Sequence, residues 1–304
     1  MYNTRMTKAN KRSETKNSTS TIARSDDGTI QITFTLPFSS IKKAREEVVK
    51  EESGKIDIPG FRPGKAPLEK VLENIPENTL LEKSLQKILP DLLTQAIEKH
   101  KIIPATYPKF ELLNTKESED WQIRATTCEL PLIELGDYKK GLSSLKKTSA
   151  IWTPGKDKEQ NSKTPTLEEK EQQVIKYLLE TIKINIPKVL VEEEVNSRLS
   201  KLLERIEKMG LSLEGYLSSI HKSVKDLREE YELQAKNAIA LDLILTKIVQ
   251  EEKIEVDTKE VDMAVAAGQA DEKLAKELDT PEKRRFIELI LKRRKALDYA
   301  ISLL

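Results

Sequence analysis

Ile58-Pro59-Gly60-Phe61-Arg62-Pro63-Gly64-Lys65-Ala66-Pro67 places one large apolar ring and two cations on a loop punctuated by glycine and proline. Each proline fixes its own φ and pushes the residue before it toward extended backbone, while Gly60 and Gly64 permit the positive φ of a tight reversal. The loop should therefore hold a shape before any partner arrives. Phe61 belongs to no periodic apolar pattern, so it is expected to project outward beside Arg62 and Lys65, an arrangement suited to docking on a polyanionic assembly. A buried turn anchor is the plainer alternative for the same ring.

On the upstream side, Ile30, Ile32, Phe34 and Leu36 alternate with polar residues, which predicts a strand with one buried face, ended by Pro37. Ser39 or Ser40 can cap a following helix whose Ile41, Ala44 and Val48 share a face. Downstream, Pro67 suits the first turn of a short helix through Val71 and Leu72. Leu81, Leu85, Ile88, Leu92 and Ala96 then recur at helical spacing across Pro90, predicting one helix with a kink or local break. Tyr107 to Leu113 and Trp121 to Leu130 read as a β-hairpin whose second strand shifts its apolar parity after Ala125, where a bulge would fit. Helices inserted between one strand and a hairpin make a small α+β domain.

At this point Gly60-Phe61-Arg62-Pro63-Gly64-Lys65-Ala66-Pro67 resembles the ribosome-binding signature of trigger factor, a family of bacterial chaperones that dock beside the polypeptide exit tunnel. The segments Thr29 to Leu36, Ile41 to Lys55 and Leu80 to Pro104 follow in the order of that family's N-terminal domain. Far downstream, Ile186-Pro187-Lys188-Val189-Leu190-Val191-Glu192-Glu193-Glu194-Val195 is similar to the opening of its C-terminal chaperone domain. Similarity continues through Leu213-Glu214-Gly215-Tyr216-Leu217 and Glu252-Lys253-Ile254-Glu255-Val256, so it covers the chain from about Thr29 to about Ala267. The family often has a basic residue where Pro63 stands, which leaves this loop one cation fewer beside Phe61.

From Gly141 to about Thr166 the pattern dissolves into Lys, Ser, Thr, Pro and Gly, as a linker does. Trigger factors usually carry an FKBP-like peptidyl-prolyl isomerase domain there, yet this interval is too short for a sheet curved around an aromatic-lined pocket, and Trp152 is its only aromatic. Beyond Leu167 nearly everything reads as helix. Val191, Val195, Leu199, Leu202, Ile206 and Met209 keep 3–4 spacing until Gly210, a suitable C′ residue. Ser223 with Asp226 resembles a capping box, followed by the stripe Leu227, Tyr231, Ala235, Ala238, Leu241, Leu245 and Ile248. Asp257 with Glu260 caps another helix by the same logic, and Thr280-Pro281-Glu282 starts the last, with a broad face of Phe286, Ile287, Ile290, Leu291 and Leu297.

Composition sets bounds on all of this. The 304 residues suffice for about two domains, and 34% charged with 5% aromatic residues favours long solvated helices. A formal net charge of +1 places any nucleic-acid contact on local patches. One such patch is the Ser/Thr/Asn/Lys-rich stretch 1–25, with six basic residues against Glu14, which reads as a solvated tail or a supplementary grip on ribosomal RNA. Translation starting at Met6 is an alternative reading of that extension. Cys128 is the sole cysteine, which leaves no internal disulfide framework and fits a reducing, cytoplasmic setting; no stretch has the length or apolarity of an export signal or membrane span.

No catalytic constellation is visible. His100 and His221 lie far apart and lack a nearby Cys or paired carboxylates, Glu192-Glu193-Glu194 point in three directions on a helix, and Cys128 has nothing basic near it in sequence. The expectation is thus a mainly α chain: a basic disordered tail over 1–26, an α+β ribosome-binding domain over 27–147, a linker over 148–166 in place of the isomerase domain, and an all-α chaperone domain over 167–304. By the resemblance, Gly60, Phe61, Arg62, Pro63, Gly64 and Lys65 bind the ribosome, both its exit-site protein and its RNA. Met209, Met263, Phe286 and Leu289 are candidates for holding nascent or unfolded polypeptides, if the helices form open arms and not a closed bundle. Neither metal, cofactor, ATP, membrane nor covalent chemistry enters this expectation, and a homodimer off the ribosome stays open. A peptidyl-prolyl isomerase by family inheritance, or a helical scaffold independent of the ribosome, are the competing readings.

Overall fold

The computed structural model describes residues 19–55, 61, 66–116, 119–149, 166–267 and 280–304, with the side chains of 146–149 left aside. The chain divides into two compact units, Met1–Leu130 and Pro131–Leu304. It is mainly helical, with one small sheet confined to the first unit. No helix among the described residues is long and apolar enough to cross a membrane.

Unit 1 sets an antiparallel sheet of order β1-β2-β4-β3 against helices, with strands β1 (Thr19–Arg24), β2 (Thr29–Leu36), β3 (Lys109–Asn114) and β4 (Trp121–Cys128). Its helices are α1 (Phe38–Glu52), α2 (Leu68–Asn74) and α3 (Glu77–His100). The alternation expected in β2 is realised: Ile32 lies opposite Ala125, Phe34 opposite Ile123 and Leu36 opposite Trp121, all of them buried. Ile41 and Ala44 of α1 and Ile88, Leu92 and Ala96 of α3 close over that face and remove it from water.

The structure departs from the sequence reading at several points. Residues 19–24, counted with the tail, form β1, whose Ile22 packs on the core and pairs with Ile32. The reversal into β2 is built by Gly28 at φ 85° and by the Asp27 carboxylate, which accepts from the Thr29 amide and hydroxyl at 3.0 Å each. Residues 1–18 lie outside the described residues. Helix α1 starts at Phe38 directly after Pro37, so neither Ser39 nor Ser40 caps it. Helix α3 runs through Pro90 unbroken; that residue is exposed, so the carbonyl it leaves without an amide partner can turn to solvent. The hairpin's register shift falls in β3, between Leu112 and Asn114, and β4 keeps its parity because Thr127 takes the inward place, its buried hydroxyl donating to the Thr106 carbonyl at 2.9 Å.

Unit 2 contains α4 (Tyr138–Ser149), α5 (Leu167–Thr181), α6 (Lys188–Lys208), α7 (Leu213–Ser219), α8 (Val224–Glu251), α9 (Thr258–Ala267) and α10 (Pro281–Ser302). Residues 131–149, read as the end of the first domain and the start of a linker, belong here. Leu135, Tyr138 and Leu142 are buried with Val174 and Leu178 of α5, Ile244 and Ile248 of α8 and Ala296 and Ala300 of α10. The composition that suggested a linker is the solvent side of an amphipathic helix; residues 150–165 lie outside the described residues.

A polar junction fastens α4 to that core. The Glu252 carboxylate, at the end of α8, accepts from the Tyr138 hydroxyl at 3.1 Å, the Tyr299 hydroxyl at 3.1 Å and the Lys139 ammonium at 2.8 Å. The hydrogen bond from Lys139 holds the Glu252 carboxyl below the usual carboxylate range, and burial beside that carboxylate pushes the Tyr138 phenol up.

The expected caps are mostly in place. Ser223 and Asp226 form a reciprocal capping box at α8, and the Thr280 side chain accepts from the Lys283 amide at α10. Gly210 ends α6 at φ 71°, donating to the Glu207 carbonyl while the Leu211 amide reaches Ile206, a Schellman arrangement. Asp257 accepts from the Lys259 amide at α9, whereas Glu260 turns to Lys295 at 2.7 Å instead of closing a capping box.

Candidate functional site

Phe61 stands on the segment that joins α1 to α2 and is 42% exposed, so the ring is not a buried anchor. Gly60, Arg62, Pro63, Gly64 and Lys65 lie outside the described residues. Both ends of the segment are held. Val48 and Val49 of α1, Val71 and Ile75 around α2 and Leu80 of α3 form a satellite core against which Ala66 packs. On the α1 side, Glu52 pairs with Lys83 at 2.5 Å and Lys55 at 3.0 Å, and these hydrogen bonds hold its carboxyl below the ordinary range. Pro67 sits just before the first residue of α2, one place earlier than expected.

Beside this segment α1 and α2 leave an apolar groove of about 470 Å3, floored by Phe38, Val49, Leu68 and Leu72 and rimmed by Lys42 and Arg45 against Glu46 and Glu69. Sequence reasoning missed it. The available signal was that α2 carries three apolar residues over seven positions, of which the structure buries only Val71. The Arg45 guanidinium lies 5.3 Å from the centre of the buried Trp121 ring, so the cation on this wall is held over an indole face.

In unit 2 Met209, Met263 and Phe286 are exposed and Leu289 is half-buried. They do not gather in one place. Met209 ends α6, whereas Met263 on α9 and Phe286 on α10 flank an ion pair of Asp262 with Arg284 at 2.7 Å. Leu203, Leu211 and Val224 near the α6–α7–α8 end are also exposed and were not singled out by the sequence reading.

The residues weighed for catalysis are accounted for locally. His100 closes α3 with its Nε2 at 3.4 Å from the Ser20 hydroxyl, and His221 takes φ 52° just past α7. Cys128 is buried with its Sγ 3.9 Å from the Thr106 hydroxyl. Glu194 accepts from Arg198 one turn on, at 2.6 Å.

Two family models match in tandem: the bacterial trigger factor protein model over residues 19–159 and its C-terminus model over residues 155–302. Because the matched regions overlap at 155–159, no interval remains between them for another domain. Among curated relatives, the trigger factor of Limosilactobacillus reuteri is 31% identical over 108 residues, 36% of this chain and 25% of its own length. That of Oenococcus oeni is 30% identical over 159 residues, 52% of this chain and 35% of its own. The matched stretch thus spans a quarter to a third of the length of these relatives. A solved structure from work on "promiscuous substrate recognition in folding and assembly activities of the trigger factor chaperone" superposes with a TM-score of 0.61 and 14% identity, covering 93% of this chain and 99% of that one. At that identity the likeness is one of fold.

Proposed function

Because the chain belongs to the trigger factor family, we propose that it is an ATP-independent, ribosome-associated chaperone of the cytoplasm, docking through the Phe61 segment and holding unfolded polypeptide on apolar surface of unit 2. The observation that carries the reading is the exposed Phe61 ring on a segment fastened at both ends by its own small core. On that footing Phe61 supplies apolar contact, while Arg62 and Lys65 pair with ribosomal RNA phosphate or an acidic side chain of an exit-site protein. Holding a client requires no covalent step: dispersed aliphatic and methionine contacts are individually weak and release without ATP. Prolyl isomerisation has no part in this reading, since the matched regions abut where that domain would lie.

Co-sedimentation with ribosomes tests the docking role. Arg62→Ala with Lys65→Ala should weaken binding at matched salt while the melting profile is unchanged, with a loss on the scale of about 1.5–3 kcal/mol for each charged contact. Equal pelleting of wild type and double variant would remove the ribosome from the reading and leave the helical-scaffold alternative. Suppression of light scattering by a refolding client, without nucleotide, tests the holding role separately.

A further inference from the structure

Two cavities open side by side on the α6–α8 face of unit 2, and Arg228 lines both. The first, about 190 Å3, is walled by Leu199, Leu202 and Leu203 of α6, Leu213 and Leu217 of α7 and Leu227 of α8. Arg228 is the only polar residue in its lining. The second, about 250 Å3, has Val191 and Val195 at its base and Lys188, Glu192, Glu232 and Lys236 at its sides. Val191, Val195 and Leu199 follow one another at i, i+4 spacing on α6, so the two cavities run in line along one helical seam. The seam is floored by closed packing of Val191 and Val195 on Ala235.

The charges at the junction are unequal. Glu232 accepts from Lys236 at 2.7 Å, and that bond holds its carboxyl below the ordinary range, so its charge is already engaged. Arg228 is exposed and makes no ion pair or hydrogen bond with a described residue. Its guanidinium is permanently charged, and its planar fork fits a carboxylate better than any single lone pair does. A leucine wall on one side lowers the local dielectric and strengthens such a pair relative to one in open water.

We propose that this seam is a client site with a defined chemistry: a stretch of unfolded chain that sets one or two branched aliphatic side chains in the leucine cavity and, within a residue or two, a carboxylate on Arg228. The inference rests on the chaperone reading and adds to it a substrate class. The volume suits the assignment, because an apolar cavity of about 150 Å3 accepts a benzene-sized group. Clients with an acidic flank should therefore be preferred to those with a basic one, since a second cation would face Lys188, Arg228 and Lys236 together.

The test uses the full chain and three fluorescein-labelled, amidated peptides that share a Leu-Ala-Leu-Leu core and end in Glu-Glu, Gln-Gln or Lys-Lys, read by fluorescence anisotropy. The Glu peptide should bind about three- to tenfold more tightly than the Gln peptide at low salt, the Lys peptide most weakly, and the spread should narrow as salt rises. Arg228→Ala should erase the spread and Arg228→Glu reverse it, whereas Leu203→Asp should weaken all three with helicity retained. Equal affinities for the three peptides, in a chain that still suppresses client scattering, would overturn this inference and leave the chaperone reading standing. Failure of both measurements would overturn the two together. Self-association abolished by Leu203→Asp, without peptide binding, would assign the seam to a second copy and overturn the client proposal.

Discussion

Replacing Glu252 by Ala tests the packing account of unit 2 most directly, because one carboxylate gathers donors from three helical elements. Tyr138 is 2% exposed, and its hydroxyl has the Glu252 carboxylate as its acceptor at 3.1 Å. A hydrogen bond to a charged group contributes about 1.5–3 kcal/mol, much of it the penalty of leaving the buried partner unsatisfied. The half-buried Tyr299 adds about 1 kcal/mol by the same reasoning, while the solvated Lys139 adds little. A loss of about 2–4 kcal/mol is expected, which for a unit of this size lowers its melting temperature by roughly 5–15 °C. Glu252→Gln should fall between, since its carbonyl can still accept from one phenol.

The sign of the pH dependence follows from the depressed Glu252 carboxyl. Its stabilisation is fully present above the unfolded pKa, about 4.3, and is lost as pH falls through the lower folded value. The gap between wild type and Glu252→Ala should thus be constant from about pH 5.5 to 8 and close on further acidification. Calorimetry of the full chain resolves the transition of each unit. Unchanged transitions in Glu252→Ala at pH 7 would refute the role assigned to this junction.

Phe61→Ala should reduce ribosome co-sedimentation while leaving the melting profile unchanged, because a ring 42% exposed contributes little to a core. Gly141→Ala should destabilise unit 2 by about 1–2 kcal/mol despite alanine's better helix propensity, since the added Cβ would lie 2.5 Å from Tyr177 Cζ; in a Tyr177→Ala background the same change should be neutral or stabilising, which a double-mutant cycle by thermal melting reads out. Isomerisation of a prolyl peptide in a protease-coupled assay should run at its uncatalysed rate at every concentration of this protein, and acceleration that scales with concentration would restore the enzymatic reading. A fragment of residues 131–304 should melt cooperatively, whereas one beginning at 167 lacks Leu135, Tyr138 and Leu142 and should melt lower and more broadly by circular dichroism.

Periodicity found what depends on periodicity. The buried face of β2, the α1 face of Ile41, Ala44 and Val48, and the Ser223 and Thr280 caps were legible because each rests on residues adjacent or one turn apart. Strand β1 was not, since an edge strand buries little and Ile22 alone marks its inner side. The Asp27-Gly28 pair before Ile30 was a hairpin signal that the basic composition of 1–25 outweighed. Helix α4 was missed for a related reason: Tyr138, Leu142 and Leu145 keep helical spacing, but the Lys and Ser residues between them match a linker in composition. Composition averages over both faces of an amphipathic helix, so a lysine-rich outer face can hide three residues that a core requires.

The site was legible in a different measure. Phe61 stood out because it fits no periodic pattern, which marks a side chain that the fold does not need and a partner can use. The leucine seam gave no such sign, because Leu199, Leu202, Leu213 and Leu227 occupy positions where any bundle helix would carry leucine. What separates holding surface from core there is whether another helix arrives to cover it, and that is a property of tertiary arrangement. On α6 the same stripe is buried at Val191 and Val195, where Ala235 meets it, half-buried at Leu199 and Leu202 beside the short α7, and exposed at Met209. One unbroken sequence pattern therefore passes from structural to available surface within five turns, and the transition is set by the seven-residue length of α7, which is too short to cover the end of the stripe.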